Sequence, residues 1–195
     1  MSSDISTSSK TARERLLEAA AILFYNDGIA ATGIDSITRR AGVAKQSLYN
    51  NFSSKADLVA TYLELRHNEW LTLYNKRLEN KTQPKEKILA VFKAYEDHAE
   101  FAYEHGFRGC GLLNAAAELS AGDPGRATVR KHKEQIEGFI EDHLRALLTN
   151  EQQVKLMARH LSFILEGAIT RAGLEGNGRQ MREAQDLVLA LLKNL

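Results

Sequence analysis

AGVAKQSLYNNFSSK, residues 41–55, sets a glycine turn before a short polar helix that carries a tyrosine. Ala41, Gly42 and Val43 read as a tight turn, since glycine enters the left-handed backbone region without a Cβ penalty. Ala44 to Asn50 then read as a two-turn helix. At 100° per residue, Ala44, Ser47 and Leu48 share one arc, and Lys45, Gln46, Tyr49 and Asn50 share another. The first arc suits packing on preceding helices. The second presents a cation, two amides and a phenol outward. Two short helices joined by a glycine turn describe a helix-turn-helix.

The outward arc has the chemistry of base edges. Gln and Asn pair bidentately with adenine, and Lys reaches guanine or phosphate. Ser54 and Lys55 place a helix N-terminus beside an ammonium, which suits a phosphate. Thr32 and Gly33 do the same at the preceding helix, and Arg39 and Arg40 add cations near the turn. The competing reading is an ordinary three-helix core whose polar face is idle.

Outward from this stretch the chain reads as consecutive helices. Thr11-x-x-Glu14, Thr32-x-x-Asp35, Ser54-x-x-Asp57 and Thr149-x-x-Gln152 are capping-box patterns that open helices. The first helix carries Leu16, Ala20, Leu23 and Phe24 on one face and stops at Asp27-Gly28. The second runs to about Ala41. A long helix runs from Ser54 to about Asn80. Pro84 suits the first turn of a helix reaching about His105. Further helices are expected over residues 110–120, 125–148, from Thr149 to near Gly173, and over 179–194. No stretch shows the β-branched alternation of a strand. The expected fold is all-α: a helix-turn-helix domain over residues 10–55, preceded by a disordered Ser/Thr-rich tail over 1–9. A long helix joins it to an effector-binding and dimerisation domain over 56–195.

Composition bounds the function classes. The chain has 195 residues and a formal charge of +1, so nucleic-acid binding requires local basic clustering. Cys110 is the only cysteine, which excludes an internal disulfide and fits a reducing, cytoplasmic setting. The start, MSSDISTSSK, lacks the apolar core of a signal peptide, and no apolar run reaches membrane-spanning length. No membrane partner is expected. No glycine-rich phosphate loop, nucleophile elbow or zinc helix motif is present, so no enzyme activity and no cofactor is expected.

GIDSITRRAGVAKQSLYNNFSSKADL, residues 33–58, resembles the DNA-binding segment of the TetR family of bacterial repressors. The shared features are the Ala-Gly-Val turn, the Leu-Tyr pair, the Phe that follows and the Ser-Lys that opens the next helix. ERLLEAAAILFYNDGIAATG, residues 14–33, extends the likeness across the first quarter of the chain. RGCGLLNAAAEL, residues 108–119, resembles a segment found in one subset of such regulators. Two positions depart from the family pattern. Ala44 stands where members often carry a hydroxyl, at a cost of about 1 kcal/mol of helix capping. Asn51 stands where they often carry His, so it cannot become cationic.

The resemblance implies a homodimeric repressor bound to near-palindromic double-stranded DNA and released by a small-molecule effector. It implies DNA contacts from Thr32, Lys45, Gln46, Tyr49, Asn50, Asn51 and Lys55. Tyr49, Asn51 and Lys55 would contact mainly phosphate; Lys45, Gln46 and Asn50 would lie closest to bases. Gly33, Arg40 and Ser47 complete the candidate DNA-binding set.

The last two helices carry seam patterns. Val154, Ala158, Leu161, Leu165, Ala168 and Ala172 recur at spacings of 4, 3, 4, 3 and 4; Met181, Ala184, Val188 and Leu191 recur at 3, 4 and 3. These residues form the candidate dimer interface, with packing onto the chain's own core as the alternative. A twofold dimer would set its recognition helices about one DNA turn, roughly 34 Å, apart.

Candidate effector residues lie in the middle helices: Trp70, Tyr74, Phe92, Tyr95, His98, Arg108, Cys110, Asn114 and Glu118. Aromatic walls with a few polar groups describe a ligand pocket, although aromatics also fill cores. Cys110 follows Arg108 near a helix start, which lowers a thiol pKa and raises the alternative of an electrophile- or oxidant-sensing repressor. No metal site is expected, since no His-x-x-x-His pair occurs.

Overall fold

The computed structural model describes residues 10–193 and Leu195; the expected disordered tail, 1–9, and Asn194 at the expected end of the last helix lie outside the described residues. Nine α-helices and no strand occur among them: α1 (Ala12–Asp27), α2 (Ile34–Ala41), α3 (Lys45–Asn51), α4 (Lys55–Leu78), α5 (Pro84–Ala99), α6 (Gly111–Glu118), α7 (Pro124–Leu144), α8 (Glu151–Glu175) and α9 (Arg179–Leu192). The chain divides into two compact units, the first ending at Tyr62 and the second beginning at Leu63. The division falls inside α4 rather than at residue 55.

The first helix begins as its sequence dictates. Thr11 Oγ1 accepts from Glu14 N at 3.2 Å, and the Glu14 carboxylate accepts from Thr11 N at 2.7 Å. Two other expected boxes do not form. Thr32 is buried and donates its hydroxyl to the Gly28 carbonyl at 2.6 Å, so the N-cap of α2 is Gly33, which offers no side-chain hydrogen bond. Thr149 is replaced as the cap of α8 by Asn150, whose Oδ1 accepts from Gln152 N and Gln153 N at 2.9 and 3.2 Å. At α4, Ser54 Oγ accepts from Asp57 N, but Asp57 returns its carboxylate to Ser53 N. A capping pattern states that a helix starts nearby; packing chooses which hydroxyl or amide is free to do it.

In the first unit, Leu16, Phe24, Ile37, Leu48, Phe52, Leu58 and Tyr62 form the core. Phe24 and Tyr62 meet edge to face at 5.4 Å, and the Arg13 guanidinium sits 5.0 Å over the Phe52 ring. In the second unit the middle helices end sooner than the periodicity suggests. The fifth stops at Ala99, and residues 100–110 form a loop in which Gly106 and Gly109 adopt positive φ of 85° and 96°. Gly109 lies against α8 so closely that a Cβ on Gly173 would stand 2.6 Å from its Cα.

The candidate dimer stripe requires correction. Val154, Ala158, Leu161, Leu165, Ala168, Ala172, Met181, Ala184 and Val188 are buried within the second unit, in the chain's own core. Only Leu191 of that set is exposed. An apolar stripe shows that a helix face is covered, not which chain covers it. The large apolar side chains of these two helices that are exposed among the described residues are Leu156, Phe163 and Leu174 on α8, and Leu187, Leu189 and Leu191 on α9. On α8 they recur at 7 and 11 residues, which returns to one face of a helix.

Candidate functional site

The turn between α2 and α3 is built by Gly42. Its φ of 64° and ψ of 39° are left-handed, and its N–H donates to the Arg39 carbonyl at 3.2 Å while Val43 N donates to Thr38 O at 3.1 Å. Arg15 reaches across from α1 to the Gly42 carbonyl. A Cβ at this left-handed position would be strained, so glycine fixes the angle at which α3 leaves.

Leu48, fully buried, anchors α3, and Phe52 at its end closes the core. Ala44 starts the helix without a side-chain cap and is exposed, so the inward arc consists of Leu48 with Ser47 half-buried. Lys45, Gln46, Tyr49 and Asn50 are exposed together on the outer face, as their spacing predicts. Tyr49 is 48 % exposed, a large share for a ring. Gln46 Nε2 donates to Asn50 Oδ1 at 3.1 Å. Lys45 Nζ pairs with Asp35 Oδ1 at 2.9 Å, and this hydrogen bond and charge hold the ammonium above its ordinary range. Asp35 was not among the candidate residues. The pairing arises because the glycine turn returns α3 beside the start of α2, which linear spacing does not display.

The remaining DNA candidates are distributed differently. Gly33 and Arg40 are exposed. Thr32 is 3 % exposed and its hydroxyl faces inward, so its side chain is not a surface donor. Asn51 Nδ2 donates to the Ser47 carbonyl on its own helix at 2.8 Å. Lys55 Nζ donates to the Ile29 carbonyl at 2.6 Å and ties the start of α4 to the α1–α2 connection. These three side chains are engaged by backbone carbonyls within the first unit; Lys45, Gln46, Tyr49 and Asn50 form the exposed polar face of α3.

In the second unit, some effector candidates converge and others do not. Trp70, Tyr95, His98 and Cys110 share the wall of one cavity of about 10 Å³, together with Arg66, Leu112 and His132. That volume holds about one water molecule. Tyr74 stacks on Trp70 at 5.1 Å, and its hydroxyl meets His143 Nε2 at 2.8 Å; burial raises that phenol to about 12. Phe92 is wholly core, Arg108 and Glu118 lie on the surface, and Asn114 donates to the Arg108 carbonyl, pinning the loop.

Sequence spacing missed a buried polar cluster here. His67 Nδ1 and His132 Nδ1 are 2.7 Å apart, and His132 Nε2 lies 3.3 Å from the Tyr95 hydroxyl. Lys133 pairs with Glu166 at 2.9 Å, donates to Tyr95 at 3.1 Å and stands 3.8 Å from Cys110 Sγ. Burial works against the Lys133 ammonium, but the facing Cys110, Tyr95 and Glu166 outweigh it and raise its pKa. Burial pushes His98 down to about 4 and His132 to about 3, so both rings are neutral near pH 7. No group of three metal-ligating side chains with metal-site geometry occurs among the described residues. Cys110 is 6 % exposed. No helix among the described residues is long and apolar enough to cross a membrane.

Residues 16–62 match the family of bacterial regulatory proteins designated tetR. The chain is 34 % identical over 88 residues to the transcriptional activator FasR of Mycolicibacterium smegmatis, covering 45 % of this chain and 40 % of that one. It therefore spans less than half the length of that relative. It is 26 % identical to the transcriptional regulator LmrA of Bacillus subtilis, over 93 % of this chain and 96 % of that one. A TetR-family regulator from Streptomyces coelicolor superposes with a TM-score of 0.85 at 27 % identity, covering 94 % of this chain and 95 % of that one.

Proposed function

We propose, from the match of residues 16–62 to the TetR family of bacterial regulatory proteins and the likeness to a solved TetR-family regulator, that this chain is a homodimeric repressor released from near-palindromic operator DNA by a small-molecule effector. The observation that carries the DNA reading is the outer face of α3. Lys45, Gln46, Tyr49 and Asn50 stand exposed on a helix fixed by the Gly42 turn and the Leu48 anchor. A two-turn helix fits the major groove, where amides and an ammonium read base edges and a phenol reaches phosphate.

The partner copy would cover the faces that carry Leu156, Phe163 and Leu174 on α8 and Leu187 and Leu191 on α9. With Leu189, these are the large apolar side chains of both helices that the protomer leaves in water among the described residues, and closed twofold pairing is the usual way such faces are buried. Release requires only that the effector prefer a conformation poorly matched to DNA. A hundredfold preference supplies about 2.7 kcal/mol per site. The thiol-sensing alternative has a buried cysteine against it, because oxidants and electrophiles act on accessible thiolates.

The test is selection from genomic DNA fragments with the purified chain at moderate salt, beside Tyr49→Ala. Enrichment of a near-palindromic site by the unaltered chain, lost in the variant, supports the reading. No enrichment even at low salt, where phosphate contacts are strongest, defeats it.

A further inference from the structure

The second unit holds a cleft of about 310 Å³ lined by Arg66, Glu69, Leu73, His98, Phe101 and Tyr103. Two of these, Arg66 and His98, also line the smaller buried cavity that Trp70 walls. The cleft and the cavity therefore meet at shared side chains.

Three observations restrict what the cleft can hold. The first is charge. Arg66 is paired with Glu69, Lys133 is paired with Glu166, and burial keeps His98 and His132 neutral. Among the described residues, each of these charges thus has an opposite charge beside it, and an ion brought out of water without a partner of its own is disfavoured. The second is shape. Phe101 is 65 % exposed and meets Tyr103 edge to face at 5.2 Å, and Tyr103 meets His98 the same way at 5.7 Å. Such walls accept a flat ring edge to face or in offset stacking. The volume is at the low end for small-molecule sites, enough for one or two rings. The third is an unmet donor. Trp70 is 3 % exposed, and its buried Nε1–H has no hydrogen-bond partner among the described residues. Buried donors are nearly always satisfied by protein, water or ligand, so this one calls for an acceptor in the cavity it walls.

We propose that the effector is a neutral, planar aromatic molecule of one or two rings bearing a hydrogen-bond acceptor, seated in the cleft with its acceptor reaching past Arg66 and His98 to the Trp70 indole N–H. This rests on the effector-regulated reading above and names the ligand class for it.

Calorimetric titration of the full chain at pH 7.5 with 2-naphthamide, 2-naphthoate and 2-naphthylmethylammonium tests it, since the three share a ring system and differ in charge. The amide is expected to bind about tenfold or more tighter than either ion. Trp70→Phe, which keeps a ring and removes the donor, is expected to weaken the amide about threefold to tenfold, the worth of one hydrogen bond. Tightest binding of either ion, equal binding of all three, or no binding of the amide at millimolar concentration overturns the proposal. Unchanged amide affinity in a folded Trp70→Phe overturns the assignment of the acceptor. Should that variant not fold, the charge series on the unaltered chain still decides. DNA selection is read separately through residues of the first unit. A failed ligand series with a selected operator removes this proposal alone; a failed selection removes the regulatory reading.

Discussion

The Nδ1 atoms of His67 and His132 stand 2.7 Å apart, so one ring donates the proton that the other accepts. The arrangement suits two neutral imidazoles, and burial depresses both pKa values, His132 to about 3. Burial brings His98 to about 4 as well. Unfolding restores ordinary values near 6.5, so the unfolded chain binds more protons in acid. The stability these neutral rings support is complete above about pH 6.5 and is lost as pH falls from there toward about 4 for His98 and about 3 for His132. Between pH 6 and 5, each of His98 and His132 should steepen the loss by up to about 1.4 kcal/mol per pH unit. Denaturant melts across that range check it, and His132→Gln should flatten the slope by about one proton.

Gly173 and Gly109 touch backbone to backbone. A Cβ on Gly173 would meet Gly109 Cα at 2.6 Å and its N at 2.7 Å, and backbone cannot rotate away. Gly173→Ala should therefore destabilise the second unit by about 1–3 kcal/mol. Gly138, inside α7 with nothing within 4 Å of a Cβ, is the control. Gly138→Ala should stabilise by about 0.5–1 kcal/mol, the helix preference for alanine. Equal melting of the two variants would show that the close approach does not constrain the fold.

On the proposed reading face, Lys45 must leave Asp35 before it can meet DNA. Lys45→Ala should weaken operator binding and lower the salt slope of log K by about one. Asp35→Asn should act in the opposite sense and strengthen binding to random DNA several-fold, since it frees the ammonium and removes a carboxylate near the phosphates. Fluorescence anisotropy over a salt series measures both. An Asp35→Asn variant that binds random DNA no better would show that the pair is broken without cost.

The proposed self-association face is tested by charge. Phe163→Glu and Leu187→Glu each place a carboxylate where an apolar partner is expected, and each should weaken dimerisation at least about tenfold in sedimentation equilibrium. Val154→Ala should instead lower the melting temperature of the second unit, because Val154 is 1 % exposed within the protomer. If dimers persist in both charged variants, another surface is used.

Much of the first unit was legible in the sequence because its determinants are local. Gly42 announces the turn, Leu48 the anchored face, and the spacing of Lys45, Gln46, Tyr49 and Asn50 the open one, all within ten residues. The capping hydroxyls were less legible. Thr11 caps as written, but Thr32 turns its hydroxyl into the core and Asn150 displaces Thr149, because a short polar side chain serves whichever neighbour packing leaves open. The same limit applied to Lys55, whose ammonium holds the Ile29 carbonyl.

The helical class, the glycine turn and the outward polar arc of α3 follow from residue order alone, since helix periodicity and glycine's backbone freedom act over a few residues. Only the tertiary structure decided which apolar stripe is core and which remains exposed, for burial depends on what packs against a face. It alone brought Lys133 to Glu166, His67 to His132 and Asp35 to Lys45. Pairings across helices depend on interhelical packing and chain reversal, which spacing along one helix does not encode.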